Sequence, residues 1–278
     1  MSDLRHEIAR RVPLGIRMGG RRLFYWGSSE TCDFCGSSVR TYLTNGSDIP
    51  VLSRRGVVGG MARPSDRCPV CHAQDRTRLL RFYLERRHAD LGSGLSTLRV
   101  LNVAPDLGLV LWMQALRGVA YTGTDIDGAR YRHVARFVVA DLTDLPFDEG
   151  SFDVVICSHV LEHVPDDRAA MRELHRVLVP SGEALLLVPL STDGGGMDED
   201  PAIVSPTERE RRFGQWDHVR LYDRGSFDMR LGSAGFEVSV FDPFGCDAAE
   251  AAARKLNPLE LLTVATRVEQ EWVGSSGG

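Results

Sequence analysis

Four of the six cysteines stand in two Cys-x-x-Cys turns, Cys32-Asp33-Phe34-Cys35 and Cys68-Pro69-Val70-Cys71. Each turn holds two thiolates at adjacent corners of a tetrahedron, and two turns complete a shell of four sulfurs. The pattern predicts one structural Zn2+ on Cys32, Cys35, Cys68 and Cys71. A redox disulfide needs only one such pair, and a secreted disulfide framework is not expected of a chain without an export signal. A closed four-thiolate shell has no open coordination position, so this metal does no chemistry on a substrate. His72 reads as a neighbour of the second knuckle rather than a ligand, and Cys157 and Cys246 as isolated thiols. A second concentration of reactive types is Phe213-Gly214-Gln215-Trp216-Asp217-His218-Val219-Arg220-Leu221-Tyr222, polar and aromatic groups of the kind that orient a bound molecule. It lies in a connection of more than thirty residues, a length that is usually functional or mobile, and the GGGMDED part of that connection reads as a flexible lid.

The elements that must position these groups are those of an α/β domain. LRVLNVAPDLG reads as an apolar strand ending in a turn, and YTGTDID follows about twenty residues later with a carboxylate at its tip. ADLTDLPF is a second acidic turn, FDVVICS a further buried strand, HVLEHVPDD the opening of a helix and EALLLVPL another strand. Ser226 to Ala234 reads as a helix closed by Gly235, FEVSVFDP as the sixth strand and LELLTVATRV as the seventh, with a short helix in FGCDAAEAAARKLNP between them. Ahead of this domain, AQDRTRLLRFYLERRH predicts a joining helix carrying Leu79, Leu80, Phe82, Tyr83 and Leu84. The interval between the knuckles, TYLTNGSDIPVLS and VVGGM, reads as short β-like pieces of a ribbon in which zinc substitutes for a core. LRHEIARRV is expected to be an N-terminal helix. The Phe24-Tyr25-Trp26 cluster has two readings, a substrate cleft or a seam between domains.

At 278 residues there is room for one α/β domain and a smaller module. The expected division is a zinc-binding module with flanking helices over 1–90, a catalytic domain over 91–270 and a flexible tail over 271–278. No apolar run approaches 18 residues, so a cytoplasmic protein with no membrane partner is expected. The net charge of −5 conceals an asymmetry: residues 1–90 carry 16 arginines against 9 acids, about +7, which leaves about −12 for the rest. A basic front module could meet phosphates, but Lys255 is the sole lysine, which suggests a composition bias that uses arginine for every surface cation.

Over about residues 95–267 the chain resembles the class I S-adenosylmethionine-dependent methyltransferases, especially the branch whose fourth strand runs into a Leu-Glu-His-Val sequence, here Leu161 to Val164. The resemblance implies an open seven-stranded Rossmann-like sheet with the last strand antiparallel, and the cofactor S-adenosylmethionine across the C-terminal ends of the first strands. In that family the first strand ends in an acid and a glycine-rich turn. Here Asn102 stands for the acid, Ala104 and Asp106 replace the first two glycines, and Gly108 matches the last. The added methyl of Ala104 is tolerable at negative φ, and the helix that follows can hold the cofactor carboxylate on its free amides. Asp125 matches the acid that accepts from both ribose hydroxyls, Ile126 flanks the adenine, and Asp141 with Leu142 reads the adenine edge. Ser158 and His159 pass beneath the cofactor, with His159 a wall of the methyl-transfer chamber, while Glu162 and His163 resemble a structural pair.

Methyl transfer from a sulfonium is an in-line displacement that requires a positioned nucleophile and a destination for its proton. His218 is the expected base, Asp217 its expected partner, and Arg220, Tyr222 and Trp216 the expected substrate contacts. The favoured acceptor is oxygen or nitrogen of a small molecule such as a metabolite, sugar or natural product. The alternatives are an RNA methyltransferase that uses the zinc module for recognition, and a degenerate binding module that has lost the cofactor.

Overall fold

The computed structural model describes residues 12–268. Almost all of the expected N-terminal helix, and the expected tail, lie outside the described residues.

The centre is a seven-stranded sheet. Its strands are β5 (Ser93–Val103), β6 (Arg117–Asp125), β7 (Phe137–Val139), β8 (Phe152–Ser158), β9 (Leu178–Leu187), β13 (Phe236–Phe241) and β14 (Leu262–Arg267). They lie in the order β13-β14-β9-β8-β5-β6-β7. The first five in sequence are mutually parallel, and β14 is antiparallel to both β9 and β13. Parallel strands are covered on both faces and therefore read as unbroken apolar runs. The strand period then sorts alternate residues: Leu101, Val155, Cys157 and Leu186 enter one core, while Val100, Val154, Ile156 and Leu185 enter the other.

Helices cover each face. On one side α5 (Asp167–Val177) buries Ala170, Met171, Leu174 and Val177, and its start is capped by Asp166, whose side chain accepts from the Ala169 amide. On the other side α4 (Leu107–Ala115) packs with α3 (Asp75–Arg87), the predicted joining helix. Leu79, Leu80, Phe82, Tyr83 and Leu84 share one core with Val100, Leu109 and Ile156, so α3 is a layer of the sheet domain.

The cysteine-rich segment forms two short antiparallel ribbons, β1 (Trp26–Thr31) with β2 (Ser38–Val39) and β3 (Leu43–Asn45) with β4 (Arg63–Arg67). The expected β-piece at PVLS is instead a short helix, α2 (Pro50–Arg54), begun by a proline whose missing N–H costs nothing in a first turn. Its Val51 and Leu52 pack with Phe213 and Leu221 of the connection after β9. Helix α1 (Leu14–Phe24) precedes the ribbons, and Met18 is buried in the small core around the cysteines. Phe24 and Trp26 stand 67% and 75% exposed and are neither seam nor cleft; Arg40 lies over the rings of Phe24 and Tyr25.

The long connection after β9 folds as β10 (Leu190–Ser191), β11 (Asp198–Glu199), α6 (Pro206–Phe213) and β12 (Arg220–Asp223), with a small sheet ordered β10-β12-β11. The GGGMDED stretch, expected to be a flexible lid, is fastened: Arg55 donates to the Gly196 carbonyl at 2.7 Å and to Asp193, and Arg212 pairs with Asp198 and Asp200.

Candidate active site and cysteine cluster

The four knuckle thiols converge. Their sulfurs all lie within 4.8 Å of one another, with Cys32 to Cys71 at 3.5 Å and Cys35 to Cys68 at 3.9 Å. A tetrahedral shell with arms of about 2.3 Å has edges of about 3.8 Å, so the spacing and the all-sulfur donor set fit Zn2+. His72 is outside the group, beside the guanidinium of Arg21, and burial followed by that charge lowers it to about 4. Cys157 is buried in the sheet and Cys246 is exposed, each without a cysteine partner among the described residues.

The sheet register assembles the expected cofactor edge. Val103 is level with Thr124 of β6 and Cys157 of β8, so Ala104, Asp125 and Ser158 end three neighbouring strands side by side. Asp125 is also level with Val139, which brings Asp141 and Leu142 just beyond the same edge. The Asp125 carboxylate accepts from the Asp127 amide and the Tyr131 hydroxyl, which fix its orientation and leave further lone pairs. Ile126 is 74% exposed, and Asp141 is set by Thr143. The buried Ser158 Oγ has no partner among the described residues, an orphan suited to a ligand at this edge.

Three positions in the first turn differ from expectation. Ala104 takes φ +47°, the left-handed region, rather than the negative φ expected, at a cost of about 1–2 kcal/mol for a residue with a Cβ. Asn102 is buried and donates to the Tyr121 hydroxyl, so its side chain already has a protein partner where the family's acid would stand. Gly108 faces the module: a Cβ there would stand 2.7 Å from that of Ala73, so this glycine lets the second knuckle sit on the start of α4. Asp106 accepts from the Thr77 hydroxyl at 3.2 Å.

Beyond Ser158 lies a polar cavity of about 320 Å3, lined by His159, Glu162, His163, Gln215 and His218 together with Arg76 and the Asn45–Ser47 and Gly59–Gly60 segments. A second cavity of about 380 Å3 adjoins it across Asn45, Gly59, Arg76 and His159 and contains Glu260. His159 also has a left-handed backbone, φ +55°, and such strain concentrates at functional sites. Gly59, at φ +82°, closes the front loop over it; a Cβ at Gly59 would meet His159 at 3.2 Å. The Val219 amide donates to the Glu162 carbonyl at 2.9 Å, which ties His218 to the end of β8.

His218 and His159 thus meet in one cavity, as their expected roles require, but Asp217 does not partner His218. Asp217 lies 3.4 Å from His163 Nδ1, while His218 Nδ1 lies 3.3 Å from the Phe213 carbonyl oxygen. The carboxylate nearest His218 is Glu162, 1% exposed, with His159 Nδ1 at 3.2 Å. Burial lowers both His159 and His218, which favours neutral imidazoles. Burial pushes Glu162 up, but the surrounding histidines, His159 first, outweigh it and hold the carboxyl at about 2. Burial chiefly, then Asp75, raises Glu260 to about 8.

Arg220 and Tyr222 do not face this cavity. Arg220 is 1% exposed, and its guanidinium donates to the carbonyls of Leu161, Val164 and Pro165 and to Glu199. Tyr222 is buried with its hydroxyl on Asp167. Trp216, 60% exposed, lines neither cavity. Glu162 and His163, read as framework from sequence, are part of the cavity wall. The missed signal was the spacing His159-x-x-Glu162-His163, which a single turn beyond a strand gathers into one cluster. Arg76, Asn45 and Gly59 had no such signal, because only the docking of the front segment brings them here.

Residues 101–186 match the family described as Methyltransferase domain. The ubiquinone biosynthesis O-methyltransferase of Pseudomonas aeruginosa (strain LESB58) is 32% identical over 108 residues, 35% of this chain and 47% of that protein. The mitochondrial arginine-hydroxylase NDUFAF5 of Danio rerio is 31% identical over 129 residues, 43% of this chain and 38% of that protein. The chain therefore spans less than half the length of these curated relatives. Among solved structures, the Burkholderia thailandensis 1,6-didemethyltoxoflavin-N1-methyltransferase with bound 1,6-didemethyltoxoflavin and S-adenosylhomocysteine has a TM-score of 0.45 and 15% identity, over 70% of this chain and 80% of that one. The match over residues 101–186, the strand order and the carboxylates at successive strand ends agree, and together they support a class I S-adenosylmethionine-dependent methyltransferase domain in the sheet.

Proposed function

We propose that the chain transfers a methyl group from S-adenosylmethionine to oxygen or nitrogen of a small molecule, with a structural Zn2+ on its four knuckle cysteines. The observation that carries this reading is the polar cavity immediately beyond Ser158, enclosed between the strand ends and the front loop. Its 320 Å3 lies in the range of small-molecule sites, and Asn45, Gly59 and Arg76 of the front segment are among the residues that line it.

The cofactor supplies an electrophilic methyl on a sulfonium. Asp125 is assigned to the ribose hydroxyls, Asp141 and Leu142 to the adenine edge, Ile126 to its face, and Asp106 with the first amides of α4 to the amino-acid end. Ser158 Oγ is free to take a further hydrogen bond. The cavity receives the acceptor, and its histidines receive the acceptor proton. With His218 Nδ1 turned to the Phe213 carbonyl, Nε2 is the nitrogen left for that task.

Calorimetry with S-adenosylmethionine tests the reading. Wild type binds, and Asp125→Ala loses about 1.5–3 kcal/mol, the range for hydrogen bonds to a charged group. A folded wild type that binds none would overturn the proposal in favour of a degenerate domain. Binding equal in both proteins would move the ribose elsewhere.

A further inference from the structure

Glu162 is a buried carboxylate: His159 Nδ1 stands 3.2 Å from one oxygen without forming a well-aligned hydrogen bond, and the other oxygen has no hydrogen-bond partner among the described residues. An ionised carboxyl in that condition forfeits its hydration without replacement, a cost of several kcal/mol unless a cation or donors supply it. Its neighbours are histidines. One carboxylate oxygen of Glu162 and one ring nitrogen each of His163 and His218 lie within 4.8 Å of one another, and all three residues line the same cavity.

Each of the two imidazoles has a partner at one ring nitrogen. Asp217 lies 3.4 Å from His163 Nδ1, and the Phe213 carbonyl lies 3.3 Å from His218 Nδ1. A carboxylate or carbonyl on one ring nitrogen is the arrangement that orients histidine ligands toward a metal and raises their basicity. The rings meet edge to face at 4.7 Å between centroids. Arg220 holds the carbonyls of Leu161 and Val164, which bracket Glu162 and His163, so this part of the cluster is built on a rigid frame.

We propose that Glu162, His163 and His218 form a second metal site, distinct from the four cysteines, which takes a first-row transition-metal dication and leaves coordination positions open to the cavity. Two imidazoles and one carboxylate suit Zn2+, Co2+ or Fe2+ better than Mg2+, which prefers an all-oxygen shell. Three protein ligands leave room for water or a substrate oxygen, unlike the closed thiolate shell. Resting on the methyl-transfer reading, the site favours oxygen acceptors, because a hydroxyl bound to such an ion becomes more acidic. His218 then serves as a ligand and not as the base, the unpartnered Nε2 of His159 in the same cavity is left to take the hydroxyl proton, and loss of His218 removes turnover through the ion.

The test is a Co2+ titration of the full-length protein with its cysteine site already loaded with Zn2+, read by visible absorbance and calorimetry. Wild type should take one further equivalent, with weak ligand-field bands and no sulfur charge-transfer band. Glu162→Gln and His163→Gln should each weaken that binding at least tenfold while the zinc content on the cysteines is unchanged. A wild type that takes no ion beyond the cysteine-bound one overturns the proposal, as does Glu162→Gln and His163→Gln binding Co2+ as wild type does. S-adenosylmethionine binding is measured on the same samples. Cofactor binding without a second ion sinks only this proposal, and a second ion without cofactor binding sinks only the methyl-transfer reading.

Discussion

Arg220→Met separates a framework arginine from a substrate-binding one. The guanidinium is 1% exposed and donates to Glu199 at 2.6 Å, to the Leu161 carbonyl at 2.8 Å, to the Pro165 carbonyl at 2.7 Å and to the Val164 carbonyl. Methionine fills much of the volume but offers no donor, so the carbonyls of Val164 and Pro165 lose this partner together, while the buried Leu161 carbonyl keeps the Val164 amide and the Tyr222 hydroxyl. Truncating one member of a buried ionic network costs about 3–5 kcal/mol. The lower end applies here, because Glu199 is 28% exposed and keeps Arg230 as a partner. With a urea slope of about 2–3 kcal/mol/M for a domain of this size, the midpoint should fall by about 1–2 M. Asp125 lies beyond β5 from this network, so below the shifted transition the variant should bind S-adenosylmethionine normally. An unchanged midpoint combined with a raised KM for the acceptor would refute the reasoning and return Arg220 to the substrate.

Metal analysis should find one zinc in wild type and none in Cys68→Ser, whose front segment should become protease-sensitive, since such sites carry on the order of 10 kcal/mol of binding. His218→Ala should keep cofactor affinity, measured by calorimetry, and lose turnover by about 10²–10⁴; full activity would move attention to His159. Glu260 has a folded pKa near 8 against an ordinary 4.5, raised mainly by burial. The folded state therefore holds a proton that the unfolded state releases, and its contribution to stability is complete below pH 4.5 and lost as pH rises to 8. Denaturation midpoints across that window should fall by the equivalent of a few kcal/mol in wild type, and Glu260→Gln should flatten the decline.

The fold was legible in the chain because its signals are local. Apolar runs of strand length with acids at their ends announce a parallel sheet, and two Cys-x-x-Cys turns announce a cluster of four thiols whatever surrounds them. The juxtaposition of the strand ends proposed for the cofactor was legible for a related reason: parallel register places successive strand ends side by side, so bringing Asp125, Asp141 and Ser158 together needed only the strand order. Long-range packing decided the rest. Nothing near Arg220 says that its guanidinium will turn inward onto the carbonyls of residues more than fifty positions earlier, and nothing near Asp217 says that it will face His163 rather than its neighbour His218. Nor does Gly108, which reads as a cofactor glycine, disclose that Ala73 will rest against it. Side-chain direction in a connection without its own period is set by what it docks on. The cavity wall, built from β8, β12's approach and the front module at once, therefore exists only in the folded chain.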